Sequence, residues 1–84
     1  MDTTEPTITT ETARHVLFMF GHDGGAQPGR FRRHLICAIE CADLVNASQL
    51  VEVYPELVAA VRLAKYHDDG IDQLKTIARG EVAA

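Results

Sequence analysis

Apolar residues recur along most of this chain every three or four positions, which is the spacing of one face of an α-helix. The first such segment begins at Thr9 or Thr10, whose hydroxyl can cap the opening turn, and it ends at Gly21. The inward residues predicted for it are Ala13, Val16, Leu17 and Phe20. Because Phe18 and Met19 widen this stripe, we expect the helix either to lie centrally or to contact a partner.

A second helix follows a loop. Residues 22–29 hold three glycines and a proline, which interrupt helical structure, and they predict a connecting loop. The helix then extends from about Arg30 to about Val45. Its predicted inward residues, which repeat along one helix face, are Phe31, Leu35, Ala38, Ile39 and Ala42.

Three further helices complete the pattern. Residues 46–48 offer a cap for a short helix over about residues 47–53. Proline suits the first turn of a helix, where its missing amide costs nothing, so the next helix is predicted over about residues 55–66. Asp68 or Asp69 can cap the last helix, which ends at a glycine. The apolar residues of the short helix are Leu50, Val51 and Tyr54. The predicted inward residues of the last two helices are Leu57, Val58, Val61, Ala64, Ile71, Leu74 and Ile77.

These segments predict an all-α fold, a small bundle of four helices plus one short helix. A single domain is expected over residues 9–80, with a flexible, disordered N-terminal tail at residues 1–8 and a short tail at residues 81–84. A chain of 84 residues, 46% hydrophobic and 24% charged, is typical of one globular domain. Its size permits one core but not an additional enclosed pocket for a small molecule.

Charge and targeting signals indicate a protein of the cytoplasm. The formal net charge of −4 disfavours binding to nucleic acid or to an anionic membrane. The acidic N-terminus lacks the features of a signal peptide, and no apolar run reaches the ~18 residues of a membrane helix. Two cysteines are too few for a disulfide scaffold, so free thiols are expected.

A metal site is the first candidate chemistry. His34, Cys37 and Cys41 fall within about 60° of one another on a helix, and they are ligand types that zinc prefers. A structural site needs a fourth ligand, normally from a second segment. The simpler interpretation is that both cysteines are small packed residues at the edge of the core, so no metal or cofactor is expected.

Catalysis has little support in the sequence. His22 and Asp23 are adjacent in the glycine-containing loop, which weakly suggests a general base. No nucleophile accompanies them, and the loop lacks the Gly-Lys-Ser/Thr ending of a phosphate-binding loop. We therefore expect neither an enzyme nor a small-molecule substrate.

Protein interaction is the leading functional prediction. The apolar excess on the first helix predicts a contact surface for a protein partner or a second copy, as in a homodimer. Its predicted residues are Phe18, Met19, Leu63 and Tyr66. The alternative is a nucleic-acid-binding accessory protein that uses Arg30, Arg32 and Arg33 at a helix N-terminus. Against this alternative, the overall charge is negative.

One longer pattern adds a resemblance. Pro28-Gly29-x-Phe31 is followed by Leu35-Ile36-x-Ala38-Ile39-x-x-Ala42-Asp43, and then by Asn46, Leu50, Tyr54-Pro55, Leu57-Val58-x-Ala60-Val61 and Gly70-Ile71-x-x-Leu74. This pattern of residues 28–77 resembles small uncharacterised helical proteins of actinobacteria and their bacteriophages. The resemblance contains packing and turn residues and implies no catalytic site. It implies a bacterial or phage cytoplasm and binding to a host or phage protein.

Overall fold

The computed structural model describes residues 7–80, so most of the predicted N-terminal tail and all of residues 81–84 lie outside the described part. Five helices make up this part: α1 (Thr10–Met19), α2 (Arg30–Cys41), α3 (Leu44–Val53), α4 (Pro55–Tyr66) and α5 (Gly70–Ala78). No strand occurs among residues 7–80, and the predicted all-α fold is confirmed. None of the helices in this range is long and apolar enough to cross a membrane.

Helix α4 is the centre of the bundle, because it packs against each of the other four helices. Its N-terminus is set by Pro55, as expected for a residue that lacks an amide donor. The buried hydrophobic residues are Ala13, Val16, Leu17, Ile36, Ile39, Leu57, Val58, Ala60, Val61, Leu74 and Ala78. Most of them belong to α1, α4 and α5, so α2 and α3 lie at the periphery of the core.

The boundary between α2 and α3 differs from the sequence prediction. Helix α2 ends at Cys41 rather than near Val45, because Ala42 is extended with φ −70° and ψ 140°. Asp43 is the N-cap of α3, and its Oδ1 accepts a hydrogen bond of 2.8 Å from the amide of Asn46. The predicted cap at residues 46–48 is therefore wrong, and α3 is a ten-residue helix rather than a short one.

The face of α2 that points inward also differs from the prediction. Ile36 and Ile39 are buried, whereas Phe31 is 67% exposed and Ala38 is exposed. The predicted inward position of Phe31 and Ala38 is therefore wrong. The buried direction is rotated by roughly 80° from the predicted stripe, because the two isoleucines rather than Phe31 pack toward the core.

The loop between α1 and α2 folds back over the end of α1. The amide of Ala26 donates a hydrogen bond of 3.1 Å to the carbonyl oxygen of Arg14. A Cβ atom at Gly25 would overlap the backbone amide of Phe18, so only glycine permits this close approach. Pro28 is buried. The predicted connecting loop therefore packs against the C-terminal part of α1.

Candidate interaction surface

The four residues predicted to contact a partner differ in how much of each side chain is exposed to solvent. Phe18 on α1 is 43% exposed and Tyr66 on α4 is 70% exposed. Met19 and Leu63 are half-buried, and both pack against the hydrophobic core. The ring of Tyr66 also has the Nζ atom of Lys65 at 5.1 Å from its centroid. The role of these four residues in binding stays a prediction, and two of them already contribute to the core.

Helix α3 carries most of the exposed aliphatic side chains. It contains no buried residue. Leu44 is 83% exposed, Val45 is 66% exposed and Val53 is 67% exposed. The sequence carries a signal for this, since the aliphatic residues of α3 surround the helix instead of forming one stripe. The predicted helix was shorter, over about residues 47–53, and therefore left out Leu44 and Val45. We call Leu44, Val45 and Val51 the α3 surface, while Val53 lines the groove described next.

A groove of about 550 Å³ lies between the end of α2 and α3. Its lining consists of Ala38, Cys41, Ala42, Asp43, Asn46, Gln49, Leu50 and Val53. Helix α2 contributes small side chains to it, and α3 contributes two aliphatic and two amide side chains. Asp43 is the one charged residue in this lining. The groove therefore suits a bulky apolar side chain better than a polar ligand.

An apolar stripe runs along α2 toward this groove. Phe31, Leu35 and Ala38 recur at helical spacing on one side of α2, and Ala42, the C-cap residue, follows at the same spacing; we call these four residues the α2 stripe. Phe31 and Ala38 are exposed, while Leu35 and Ala42 are half-buried. A stripe with this spacing normally packs against another element. In this chain only Leu35 of the stripe packs against the core, and Phe31, Ala38 and Ala42 do not.

Both cysteines are free and exposed, so their predicted position at the edge of the core is wrong. The rotation of α2 explains this, because it turns Cys37 and Cys41 away from the buried isoleucines. His34 is exposed on the same side. Among residues 7–80, no three side chains of metal-ligating type are grouped so that they could hold an ion. Cys41 instead lines the groove between α2 and α3.

The arginines of the predicted nucleic-acid cluster are separated by their contacts. Arg30 is exposed at the start of α2, and Arg33 is half-buried. Arg32 points to the neighbouring helix, where its Nη2 donates a hydrogen bond of 2.6 Å to the hydroxyl oxygen of Thr12. Thr12 is 1% exposed. Arg32 is thus part of the internal structure, and the exposed cluster is smaller than the sequence predicts.

The contact of Arg32 belongs to a polar clasp formed by Thr9, Thr12, Arg32 and Glu56, which joins α1, α2 and α4. The Oε2 atom of Glu56 accepts hydrogen bonds of 2.7 Å from both the amide and the hydroxyl of Thr9. Burial opposes ionisation of Glu56. The hydrogen bonds from Thr9 and Thr12 and the charge of Arg32 outweigh burial and hold the pKa of Glu56 below its ordinary value.

His15 lies close to this clasp. Its Nδ1 atom and the Nε atom of Arg32 are buried without a hydrogen-bond partner. Burial, and then the charge of Arg32, lower the pKa of His15 below its ordinary value of 6.5, while Glu11 acts in the opposite direction.

A second cavity, of about 330 Å³, lies between the glycine-containing loop and the end of α5. Three basic side chains and one acidic side chain contribute to its lining: Arg14, Lys75, Arg79 and Asp23. The Nε atom of Arg14 donates a hydrogen bond of 2.9 Å to the carbonyl oxygen of Ala78, so this arginine stabilises the end of α5. Local sequence spacing does not reveal this group, because its members come from distant segments of the chain.

Comparisons with protein-family models, with curated proteins and with solved structures gave no match for this chain. The α3 surface, the groove and the α2 stripe are therefore interpreted from their own chemistry.

Proposed function

We propose that this chain is a small protein-interaction module that binds a protein partner through the α3 surface. The observation that carries the proposal is a helix of ten residues with no buried side chain, whose Leu44 and Val45 are among the most exposed aliphatic residues described. A helix on the outside of a small domain ordinarily buries one apolar stripe. Complete burial of one such side chain by a partner contributes about 1.5–3 kcal/mol.

The charges around the α3 surface define the chemistry of its partner. Residues 34–61 contain no lysine or arginine. Asp43 and Glu52, at the two ends of α3, are exposed. A complementary surface has an apolar centre that receives Leu44 and Val45, with lysine or arginine residues near its edges. A partner with acidic edges is disfavoured by repulsion.

The resemblance described above supports a bacterial or phage partner. Residues 28–77 include all of α3, so the part of the chain that resembles small actinobacterial and phage proteins also contains the proposed surface. Such a protein acts in the cytoplasm, where its exposed cysteines stay reduced. The link from resemblance to partner is one of association and does not identify an individual protein.

Affinity capture with matched variants tests this proposal. The tagged full-length chain is incubated with a nuclease-treated actinobacterial lysate beside Leu44→Ser/Val45→Ser and the control Tyr66→Ser. We expect the unmodified chain and the control to retain the same protein, and the double variant to lose it. Retention of that protein by the double variant contradicts the α3 assignment. Loss in Phe18→Ser or Tyr66→Ser alone moves the site to the surface of Phe18, Met19, Leu63 and Tyr66.

Nucleic-acid binding is the alternative, and one observation favours it. Gly29 caps α2 without a side-chain hydrogen bond, and the exposed Arg30 lies beside the opening turn, an arrangement that suits phosphate. The contact of Arg32 with Thr12 weakens this alternative. This alternative predicts that the captured material is lost after nuclease treatment, and that binding falls steeply with salt and disappears in Arg30→Glu/Arg33→Glu. These results together would support nucleic-acid binding over protein interaction.

A further inference from the structure

The α2 stripe and the groove are complementary to each other, although both belong to one chain. Phe31 is a bulky exposed side chain at one end of the stripe, and the groove lies at the other end. We propose that two copies of this chain associate through antiparallel α2 helices, with Phe31 of each copy in the groove of the other. This association goes beyond the proposed function, and it leaves Leu44 on α3 available to a different partner.

The spacing of residues in the α2 stripe is compatible with a dimer that has two-fold symmetry. Its residues are separated by four, three and four positions, so the pattern is the same in both directions. In a two-fold dimer the same patch of each copy contacts its counterpart. An antiparallel pairing about the middle of the stripe places Phe31 opposite Ala42, and Leu35 opposite Ala38. A large side chain meets a small one in each pair, as close packing between helices requires.

The groove provides the space that Phe31 needs. Its volume of about 550 Å³ exceeds that of a benzyl group, and α2 lines it with alanine and cysteine side chains only. Leu50 and Val53 close its far side. These side chains offer an apolar environment to an aromatic ring that is 67% exposed in the single chain. Among residues 7–80, Phe31 belongs neither to the hydrophobic core nor to the side chains packed against it.

Charge selects a second copy in the antiparallel orientation. Arg30 immediately precedes the stripe and Asp43 immediately follows it, and both are exposed. Antiparallel pairing brings Arg30 of each copy to Asp43 of the other, whereas parallel pairing opposes like charges at both ends. Exposed ion pairs contribute little to affinity individually, but they determine the orientation of partners. The same charges disfavour a foreign helix with a uniformly basic or acidic edge.

The size of the domain gives this association a physical reason. A chain of 84 residues buries a limited share of its surface, and α2 contributes only two residues to the core. Pairing of the α2 stripes extends the buried apolar surface without changing the fold. The contact is small, so we expect a dimer in the micromolar range rather than an obligate one.

Sedimentation equilibrium of the full chain over about three decades of concentration tests the proposal. We expect the mass to rise from 9.2 kDa toward twice that value. Phe31→Ser should weaken association at least about tenfold, because it removes the central apolar contact. Leu44→Ser is the control, since Leu44 is 83% exposed but belongs neither to the α2 stripe nor to the groove, and it should leave association unchanged. A monomer at every concentration, or unchanged association of Phe31→Ser, overturns the proposal.

Charge substitutions test whether the two α2 helices pair in the antiparallel orientation. Arg30→Glu places a carboxylate opposite Asp43 and should weaken the dimer, while Arg30→Glu/Asp43→Asn should recover part of the loss. Asparagine retains the cap of α3, so folding is preserved. Unchanged association of Arg30→Glu overturns the antiparallel pairing. Leu44→Ser/Val45→Ser should still dimerise, so failure of the dimer and failure of partner capture are distinguishable.

Discussion

Gly70 lies against the backbone carbonyl of Leu63, closer than any residue with a Cβ atom permits. A Cβ atom at Gly70 would overlap the carbonyl oxygen of Leu63 and approach the Cβ atom of His67 to 3.3 Å. Gly70 is buried, and its amide donates a hydrogen bond of 3.0 Å to the carbonyl oxygen of His67. The short turn after α4 therefore depends on glycine, because α5 begins in direct contact with the backbone of α4.

Replacement of Gly70 by alanine should lower the free energy of unfolding by about 2–4 kcal/mol, because the backbone of Leu63 cannot move without displacing α4 from the core. Urea unfolding followed by circular dichroism measures this difference. Gly29→Ala is the matched control, since no atom lies within 4 Å of a Cβ atom there, and its effect should stay within about 1 kcal/mol. Equal effects of the two substitutions would show that α4 and α5 are not in this close contact.

The buried face of a helix was predicted correctly where the helix has one apolar stripe, and incorrectly where it has two. Helices α1 and α4 have one dominant stripe each, and the predicted Val16, Leu17 and Val58 are buried. Helix α2 has two overlapping stripes, one that contains Phe31 and one that contains Ile36. Periodicity cannot choose between them, because the choice depends on which stripe fits α4 in three dimensions.

The candidate surface was less predictable than the fold, for a related reason. The sequence shows that aliphatic residues surround α3, but which of them stay exposed depends on how α3 packs against α4 in three dimensions. The clasp between Thr12, Arg32 and Glu56 joins residues far apart in the chain, so local spacing gave no indication of it. The exposed position of Cys37 follows from the rotation of α2, and the same rotation exposes Phe31 and Ala38, whereas Ile39 is buried as predicted.

The observed orientation of α2 predicts opposite sensitivities for its two stripes. Ile36 is 1% exposed, so Ile36→Ala should lower the free energy of unfolding by about 2–4 kcal/mol. Phe31→Ala should change it by less than about 0.5 kcal/mol in dilute solution, at concentrations where the proposed dimer dissociates. Urea unfolding of both variants at low protein concentration gives the comparison. If Phe31→Ala lowered the free energy of unfolding more than Ile36→Ala, the side of α2 that contains Phe31 would face the core, as predicted from sequence.

The polar clasp predicts a pH-dependent contribution of Glu56. Its pKa in the folded chain lies below the ordinary value of 4.5, so the contribution is complete above that pH. When the pH falls below 4.5, the unfolded chain takes up the proton first, and the contribution is lost as the pH falls through the folded pKa. Glu56→Gln should therefore destabilise the chain most near neutral pH, with a difference that shrinks in acid.

Urea unfolding of wild type and Glu56→Gln at several values between neutral pH and acid tests this dependence. Glu52→Gln, at an exposed carboxylate on α3, is the control and should give a small difference throughout. A constant difference between wild type and Glu56→Gln across the series would mean that ionised Glu56 is not stabilised by Thr9 and Thr12.

The cap at Asp43 determines where α3 begins, and it predicts which substitution weakens that helix. Asp43→Ala removes the acceptor for the amide of Asn46 and a negative charge at the positive end of the helix dipole. The free energy of unfolding should fall by about 1 kcal/mol, whereas Asp43→Asn keeps the acceptor and should cost less than half of that. Ser48→Ala is the control: its hydroxyl donates to the carbonyl oxygen of Val45 within the helix and caps nothing. If Ser48→Ala costs more than Asp43→Ala, α3 begins near residue 47, and Leu44 leaves the helical surface proposed for the partner.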